Sequence, residues 1–238
     1  MVVAVASRVP MFRLLVLGAV CLGSHTAFAA GDIDPGIIAA QAGDYLVAPL
    51  DGAEGCKLTL TADEAIGGYA VTGAEGCAKS VPTLADVAAW NFDGNGGLLL
   101  IDVLRKVHAR FEESEGSPLL TNGEDGPRLA LVTAVDGISH LPAPANMKGA
   151  WQMKRPGGTA ICHVRFKEAA DSDGNFALSV EEPCDSAVRK LKLKSWTANG
   201  LGITLLGEDG SSLAFTATPS GFEKDRNEGG KPLLLVRN

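Results

Sequence analysis

The chain repeats itself, and this repeat limits the possible folds more than any other feature of the sequence. An aromatic residue precedes a cysteine by 11 positions twice, from Tyr45 to Cys56 and from Trp151 to Cys162. The following cysteine comes 21 residues later in the first copy and 22 residues later in the second. Because this spacing is kept over about 90 residues, it indicates a duplicated domain.

The repeat also predicts how the cysteines pair. Four of the five cysteines follow residue 29, and in an exported chain four cysteines allow three connectivities. If each copy folds by itself, the pairs must lie within a copy, which gives Cys56–Cys77 and Cys162–Cys184. Each bridge closes a loop that is worth roughly 3 kcal/mol in the loop-entropy model.

The local pattern within each copy is typical of β-strands. Residues 56–60 and 162–166 alternate apolar and polar side chains, and residues 188–194 do the same. The 29 glycines and turn pairs such as Asn199-Gly200 and Asp209-Gly210 favour short hairpins. We therefore expect an all-β fold of two tandem, small antiparallel up-and-down barrels, each with about eight strands and one disulfide.

Aromatic residues recur at matching positions in the two copies, and we expect them to pack in the cores. They are Tyr45, Trp90, Trp151 and Trp196.

The first 29 residues have the pattern of a signal peptide. Arg8 and Arg13 precede an apolar run over residues 14–22, and Ala27-Phe28-Ala29 is a small-x-small cleavage motif. We expect cleavage near Ala29, with Met11 as an alternative start. The run is too short for a permanent membrane span, so we expect a periplasmic or secreted protein.

Cys21 raises the alternative of an outer-membrane lipoprotein. A lipid-attachment motif would have leucine three places before the cysteine and a small residue directly before it, where this chain has Gly18 and Val20. We therefore expect Cys21 to be removed with the signal peptide.

The predicted organisation follows from these features. It has a signal peptide (1–29), an N-terminal arm (30–42), a first barrel (43–134), a Pro-rich linker (135–148) and a second barrel (149–238). Residues 30–134 carry a net charge of -10 and residues 135–238 a net charge of +1. This difference fits drift of two solvated surfaces, or copies that meet different partners or dock on each other.

The sequence gives no sign of catalysis. His108, His140 and His163 of the mature chain do not form a zinc-binding motif, and there is no nucleophile elbow or phosphate-binding loop. We expect neither enzymatic activity nor a metal or cofactor. The overall charge of -7 argues against nucleic acid as a partner.

The order of these motifs resembles the bacterial metalloprotease inhibitors of the Inh type, which are related to the outer-membrane lipoprotein Omp19. The second copy matches best, with Gly149-x-Trp151, the two cysteines, Trp196, Phe215 and Val236-Arg237. The first copy has Tyr45 where the family has Trp, and no Arg after Val132.

The resemblance implies an inhibitor of secreted zinc peptidases that inserts a flexible N-terminal segment into the protease cleft. In the first copy, the corresponding residues are Ala30, Gly31, Asp32, Ile33 and Asp34. In the second copy, they are Ser139, His140, Leu141 and Pro142, which are internal and have no free amine. Two other functions stay open: a barrel that binds a small apolar ligand and a structural protein of the envelope.

Overall fold

The structure is a computed structural model, and it describes residues 33–113, 118–124 and 126–238. The predicted signal peptide, Cys21 and residues 30–32 lie outside the described residues. The chain forms two antiparallel sheets of eight strands each, one in each copy. This confirms the expected all-β class and the two tandem barrels.

The first sheet begins after the short helix α1 (Pro35–Gln41). Its strands are β1 (Gly43–Pro49), β2 (Cys56–Ala65), β3 (Gly68–Thr72), β4 (Ala89–Phe92), β5 (Leu98–Ile101), β6 (Val107–Phe111), β7 (Leu119–Leu120) and β8 (Leu129–Thr133). Two 3₁₀ helices, Ala74–Ala78 and Pro82–Leu84, lie between β3 and β4.

Among the described residues, the two ends of this sheet meet through one β-bridge. The strand order is β6-β5-β4-β3-β2-β1-β8-β7, so β6 and β7 are the edges. The backbone of Glu112 exchanges two hydrogen bonds with that of Leu120, with N···O distances of 2.9 and 3.0 Å. The bridge brings the edges together and gives the sheet a barrel-like form, which shortens the exposed strand edges.

The second sheet is a closed barrel that begins after helix α2 (Pro144–Met147). Its strands are β9 (Gly149–Lys154), β10 (Ala160–Ala170), β11 (Phe176–Glu181), β12 (Leu193–Asn199), β13 (Gly202–Gly207), β14 (Ser212–Thr218), β15 (Gly221–Lys224) and β16 (Leu234–Arg237). Helix α3 (Ser186–Arg189) precedes β12, and a 3₁₀ helix (Arg226–Glu228) precedes β16. Strand β9 pairs with both β10 and β16 and closes the barrel.

One strand expected from the alternating pattern is wrong. Residues 188–194 do not form a single strand, because Ser186–Arg189 is helix α3 and β12 begins at Leu193. The side chain of Asp185 accepts a hydrogen bond from the Ala187 N–H and starts the helical turn. The buried Val188 then points into the second core.

The disulfides are Cys56–Cys77 and Cys162–Cys184, as the repeat predicted. Each bridge joins the second strand of its copy to the irregular segment that follows the third strand. These segments have few sheet hydrogen bonds of their own, so the covalent link and buried side chains such as Leu84 and Val188 together fix their position.

The two interiors are filled by large apolar side chains. Trp90 and Trp196 are fully buried, as expected, and Phe111 and Phe215 occupy matching positions in the two cores. Trp151 is also buried, while Tyr45 is partly buried at the edge of the first core. The side chains of both copies therefore fill the barrels themselves.

The predicted linker is folded against the first barrel. A third apolar cluster joins Leu46 and Ala48 on the outer face of β1, and Ala130 on β8, to Ile138 and Leu141 of residues 135–148. The Gly55 N–H donates to the Ser139 carbonyl at 2.7 Å, which fixes the backbone of this segment.

The second barrel also reaches this cluster. Leu201 and Ala217 pack on its edge. The Asn146 side chain, next to the second barrel, donates to the Gly52 carbonyl of the first at 3.3 Å. The segment is therefore part of an apolar contact between the copies and not a free spacer.

We expect the substitution Leu141→Ala to destabilise the protein by about 2–4 kcal/mol, because a side chain that is 3% exposed would be replaced by a cavity. Urea unfolding followed by tryptophan fluorescence measures this loss. The control is Ile37→Ala, where the side chain is 54% exposed and the change should stay within about 0.5 kcal/mol. Equal effects of the two substitutions would contradict the packing of the linker.

Candidate functional site

The segment that leads into the first barrel is anchored by a helix. The Asp34 carboxylate accepts a hydrogen bond from the Gly36 N–H at 2.8 Å and caps α1. Pro35 occupies the first turn, where its missing N–H is not needed. Ile38 is buried in the first core, and Ile33 packs against the same core.

This anchoring corrects the expectation of a loose arm over residues 30–42. Residues 35–41 are helical, because a capping residue, a proline and the buried Ile38 together favour a docked turn of helix. Of the predicted contact residues, Asp34 is exposed and Ile33 is partly buried. Ala30, Gly31 and Asp32 lie outside the described residues.

An aromatic side chain of the first strand holds each leading helix. The Tyr45 hydroxyl donates to the carbonyl of Gln41, the last residue of α1, at 2.9 Å. The Trp151 indole N–H donates to the carbonyl of Met147, the last residue of α2, at 2.8 Å. Both bonds join residues four positions apart, so tyrosine and tryptophan supply the same contact.

The sequence predicted these residues only as core aromatics. The sequence signal that could have revealed this contact is an aromatic side chain with an N–H or O–H donor, placed four residues after the last residue of a helix. Burial raises the pKa of the Tyr45 hydroxyl above its usual value.

The corresponding segment of the second copy is covered. Leu141 and Pro142 are buried, and the Ser139 carbonyl is paired with Gly55. His140 is exposed and lines a cleft of about 320 Å³ together with Trp151 and other residues. Residues 139–142 could form an extended strand in another protein only if the third apolar cluster came apart.

Arg237 stabilises the start of the second barrel. Its guanidinium donates to the Lys148 carbonyl at 3.1 Å and to the Asn146 carbonyl. It also lies over the Trp151 ring at 4.9 Å from the centroid, a favourable cation–π distance. Arg237 therefore links the last strand of the barrel to the end of α2 and to Trp151.

Within the parts of the chain that the structure describes, no three His, Cys, Asp or Glu residues are grouped so that they could hold a metal ion. None of the described helices is long and apolar enough to cross a membrane.

These features define a class of protein: a disulfide-linked β-barrel, here in two copies, that is preceded by an anchored leader segment. The family model for the protease inhibitor Inh matches residues 39–132 and 141–237. The chain belongs to this family, and both of its copies are members. No individual curated protein matches the chain.

We expect Tyr45→Phe to loosen α1, because the Gln41 carbonyl would lose its donor, a loss of about 1 kcal/mol. Hydrogen exchange of the Ala42 amide, which is bonded to Ile38, should become roughly fivefold faster. Tyr45→Trp, the residue of the second copy, should restore much of the protection.

The control for this measurement is Tyr69→Phe, where the ring packs against Trp90 in the same core. The Ala42 amide should exchange there at its original rate. Unchanged exchange in Tyr45→Phe would show that the hydroxyl does not hold the helix.

Proposed function

We propose that the protein is an inhibitor of secreted zinc metalloproteases, and that residues 30–34 enter the protease cleft. Membership of the Inh family supports inhibition of a protease. The observation that carries the proposed mechanism is the anchoring of α1 by Ile38 and Tyr45. This anchoring leaves residues 30–34 as the part of the predicted arm that precedes the barrel.

The length and position of this segment suit the task. Ile33 packs against the first core and Asp34 caps α1, so the three residues before them would reach at most about 10 Å when extended, which is enough to enter a cleft from its rim. An extended strand can form backbone hydrogen bonds to the cleft as a substrate does. The free amine or a carbonyl of the first residues could then occupy the open position of a catalytic zinc ion.

The anchored helix also lowers the entropic cost of binding. Because α1 is already fixed on the barrel, only the residues before it have to be ordered in the complex. The exposed Asp34 caps the helix, so the chain direction at the start of α1 is set before the protease binds. A short segment on a rigid base is therefore a favourable ligand.

The two copies have different roles in this proposal. The second segment, Ser139–Pro142, is internal, and its Leu141 is buried between the copies. We propose that the first copy inhibits and that the second serves as its base. The expectation that residues 139–142 also bind a protease is not part of the proposal.

The packed interiors do not favour a small-ligand carrier. Trp90, Phe111, Trp196 and Phe215 fill the positions where a ligand in the barrel would lie. A protein partner bound outside the barrels fits this arrangement better.

Two disulfides indicate an oxidising compartment. We propose export by the predicted signal peptide, with cleavage near Ala29, and inhibition in the periplasm. In the periplasm, the protein would protect the cell envelope from a peptidase that is being secreted.

The protein with residues 30–238 should inhibit a serralysin-type zinc metalloprotease at submicromolar concentration. Removal of Ala30–Asp34 should raise the inhibition constant at least tenfold, because the inserted strand contributes contacts at the zinc. Progress curves with a fluorogenic peptide measure both constants. The control is His140→Ala in the second segment, which should change the constant less than twofold. Full inhibition without residues 30–34 would refute the proposal that this segment enters the protease cleft.

A further inference from the structure

The first sheet has an open place along the outer edge of β6. Its two edges meet at Glu112 and Leu120, and β7 is only two residues long. After Leu120, residues 121–124 and 126–128 lie outside any strand, and β8 begins at Leu129. Among the described residues, the part of β6 before Glu112 therefore has no neighbouring strand on this side.

Arg110 directs its backbone towards this opening. In an antiparallel sheet, every second residue of a strand points both its N–H and its C=O to the same side. Glu112 bonds outwards to Leu120, so Arg110, two residues earlier, faces the same way. Neither backbone group of Arg110 has a hydrogen-bond partner in the described parts of the chain. An unpaired strand edge is a template for another chain.

The second copy shows what covers the same edge. Ala214 corresponds to Arg110, because each precedes one of the matching residues Phe215 and Phe111. The Ala214 carbonyl accepts a hydrogen bond from the Asp225 N–H at 2.9 Å. The Ala214 N–H donates to the Glu228 carboxylate at 3.1 Å. In the second barrel, a passing backbone and a carboxylate thus occupy the place that is open in the first.

The opening is a cleft of about 370 Å³ beside the β6 edge. One wall is formed by residues 107–110 of β6, and the other by residues 121–124, 126 and 127 of the loop that follows β7. This volume lies in the usual range of ligand clefts. All the described residues that line the cleft belong to the first copy, so the linker and the second barrel do not cover it.

The outward side chains of β6 are held in place. The Arg110 guanidinium donates to the Asp93 carboxylate, and the His108 Nε2 atom lies 3.0 Å from the Asp102 carboxylate. Both carboxylates also accept hydrogen bonds from backbone N–H groups of their own turns. The edge strand is therefore preformed and loses little entropy when a partner binds.

Cations border the cleft, although the first copy is acidic as a whole. Residues 30–134 contain six Lys and Arg, and three of them lie here. Arg110 is in the edge itself, Lys106 precedes the lining residue Val107, and Arg128 packs on the loop wall, where a β-carbon on Gly123 would lie 2.5 Å from its Cγ. Lys106 and Arg128 are exposed and form no ion pair with the described residues. These charges favour an acidic partner.

Two further side chains define which residues the partner needs. Glu124 is the acidic residue among those described in the lining, and its carboxylate accepts a hydrogen bond from the Asn122 side chain at 3.1 Å. Val107 is 45% exposed and offers an apolar contact. Because side chains alternate along a strand, a segment with alternating acidic and apolar residues could satisfy both the cations and Val107.

We propose that the outer edge of β6 binds an extended acidic segment of a partner protein, which adds to the first sheet as a strand. The segment would donate a backbone N–H to the Arg110 carbonyl and accept a hydrogen bond from the Arg110 N–H, as Asp225 and Glu228 do for Ala214. Strand addition to an open edge is a common mode of peptide recognition. The site goes beyond the proposed function, because it involves none of residues 30–34.

A second copy of this chain is a poorer partner for the edge. Two β6 edges that paired with each other would bring Lys106, His108 and Arg110 of one copy close to the same residues of the other. Like charges on paired strands are destabilising, and charged residues commonly protect strand edges from such self-pairing.

The test uses the protein with residues 30–238 and the peptide acetyl-Thr-Glu-Val-Glu-Val-Glu-amide. Titration calorimetry should show binding, and a matched peptide with Lys in place of Glu should bind at least tenfold more weakly. The bound peptide should slow hydrogen exchange of the Arg110 amide at least fivefold, because this N–H becomes hydrogen-bonded. The control is the Ala214 amide, which already donates to Glu228 and should exchange at an unchanged rate.

Two variants with opposite expected effects test the role of charge. K106S/R128S should weaken peptide binding roughly fivefold, with an unchanged melting temperature because both side chains are exposed. Glu124→Gln should strengthen binding roughly twofold, since a like charge is removed from the cleft. The matched control R226S/K231S removes two exposed cations of the second copy and should change the dissociation constant less than twofold.

The proposal fails if the acidic peptide does not bind, or if it binds and leaves the Arg110 amide unprotected. Equal weakening by K106S/R128S and R226S/K231S would also overturn it, because the attraction would then come from the overall charge. A peptide-free dimer in sedimentation, with a protected Arg110 amide, would show that the edge pairs with a second copy instead.

Peptidase inhibition is a separate measurement. A protein that binds the peptide but inhibits no metalloprotease would contradict the proposed function alone. A protein that inhibits but does not bind the peptide would contradict the strand-addition site alone.

Discussion

The contact between Leu141 and the outer face of the first sheet sets the asymmetry of this protein. It buries the segment that leads into the second barrel against Leu46 and Ala130. The corresponding segment of the first barrel ends in an exposed helix cap at Asp34. The two copies share one architecture but differ in their leading segments. The leading segment of the second copy joins the copies and is therefore not available to a partner protein.

Contacts that hold a leading helix are kept in both copies even where the residues differ. Tyr45 and Trp151 both donate a hydrogen bond to the last carbonyl of the preceding helix. The shared requirement is a donor on a planar side chain at the barrel edge, and either residue meets it. The difference from the family pattern at Tyr45 therefore leaves the architecture of the first copy intact.

The two copies differ in sequence at an exposed turn, where packing constrains the choice of residues little. The tip at Val103 and Leu104 is apolar, and its equivalent at Glu208 and Asp209 is acidic. Both turns close with the same backbone hydrogen bond, so the scaffold accepts either sequence. In the proposed function, the first copy supplies the contacts with the protease and the second supplies a stable base. The anchored helix would reduce the entropy lost on binding.

The sequence alone determined the repeat, the two disulfides, the β class and the buried tryptophans. These features depend on spacing and on local alternation, which are visible along the chain. It did not predict the docking of Ile38 or the burial of Leu141. Both segments are too short to show a helical or strand period, and the burial of these two side chains depends on surfaces formed by distant strands.

The alternation at residues 188–194 led to a wrong prediction of a strand for a related reason. The cap at Asp185 and the burial of Val188 favoured a helical turn over the strand that the pattern predicted. Tertiary structure also decided that Leu141 in the leader of the second copy is buried. That outcome depends on the outer face of β1 and β8, which forms only when the first sheet has folded.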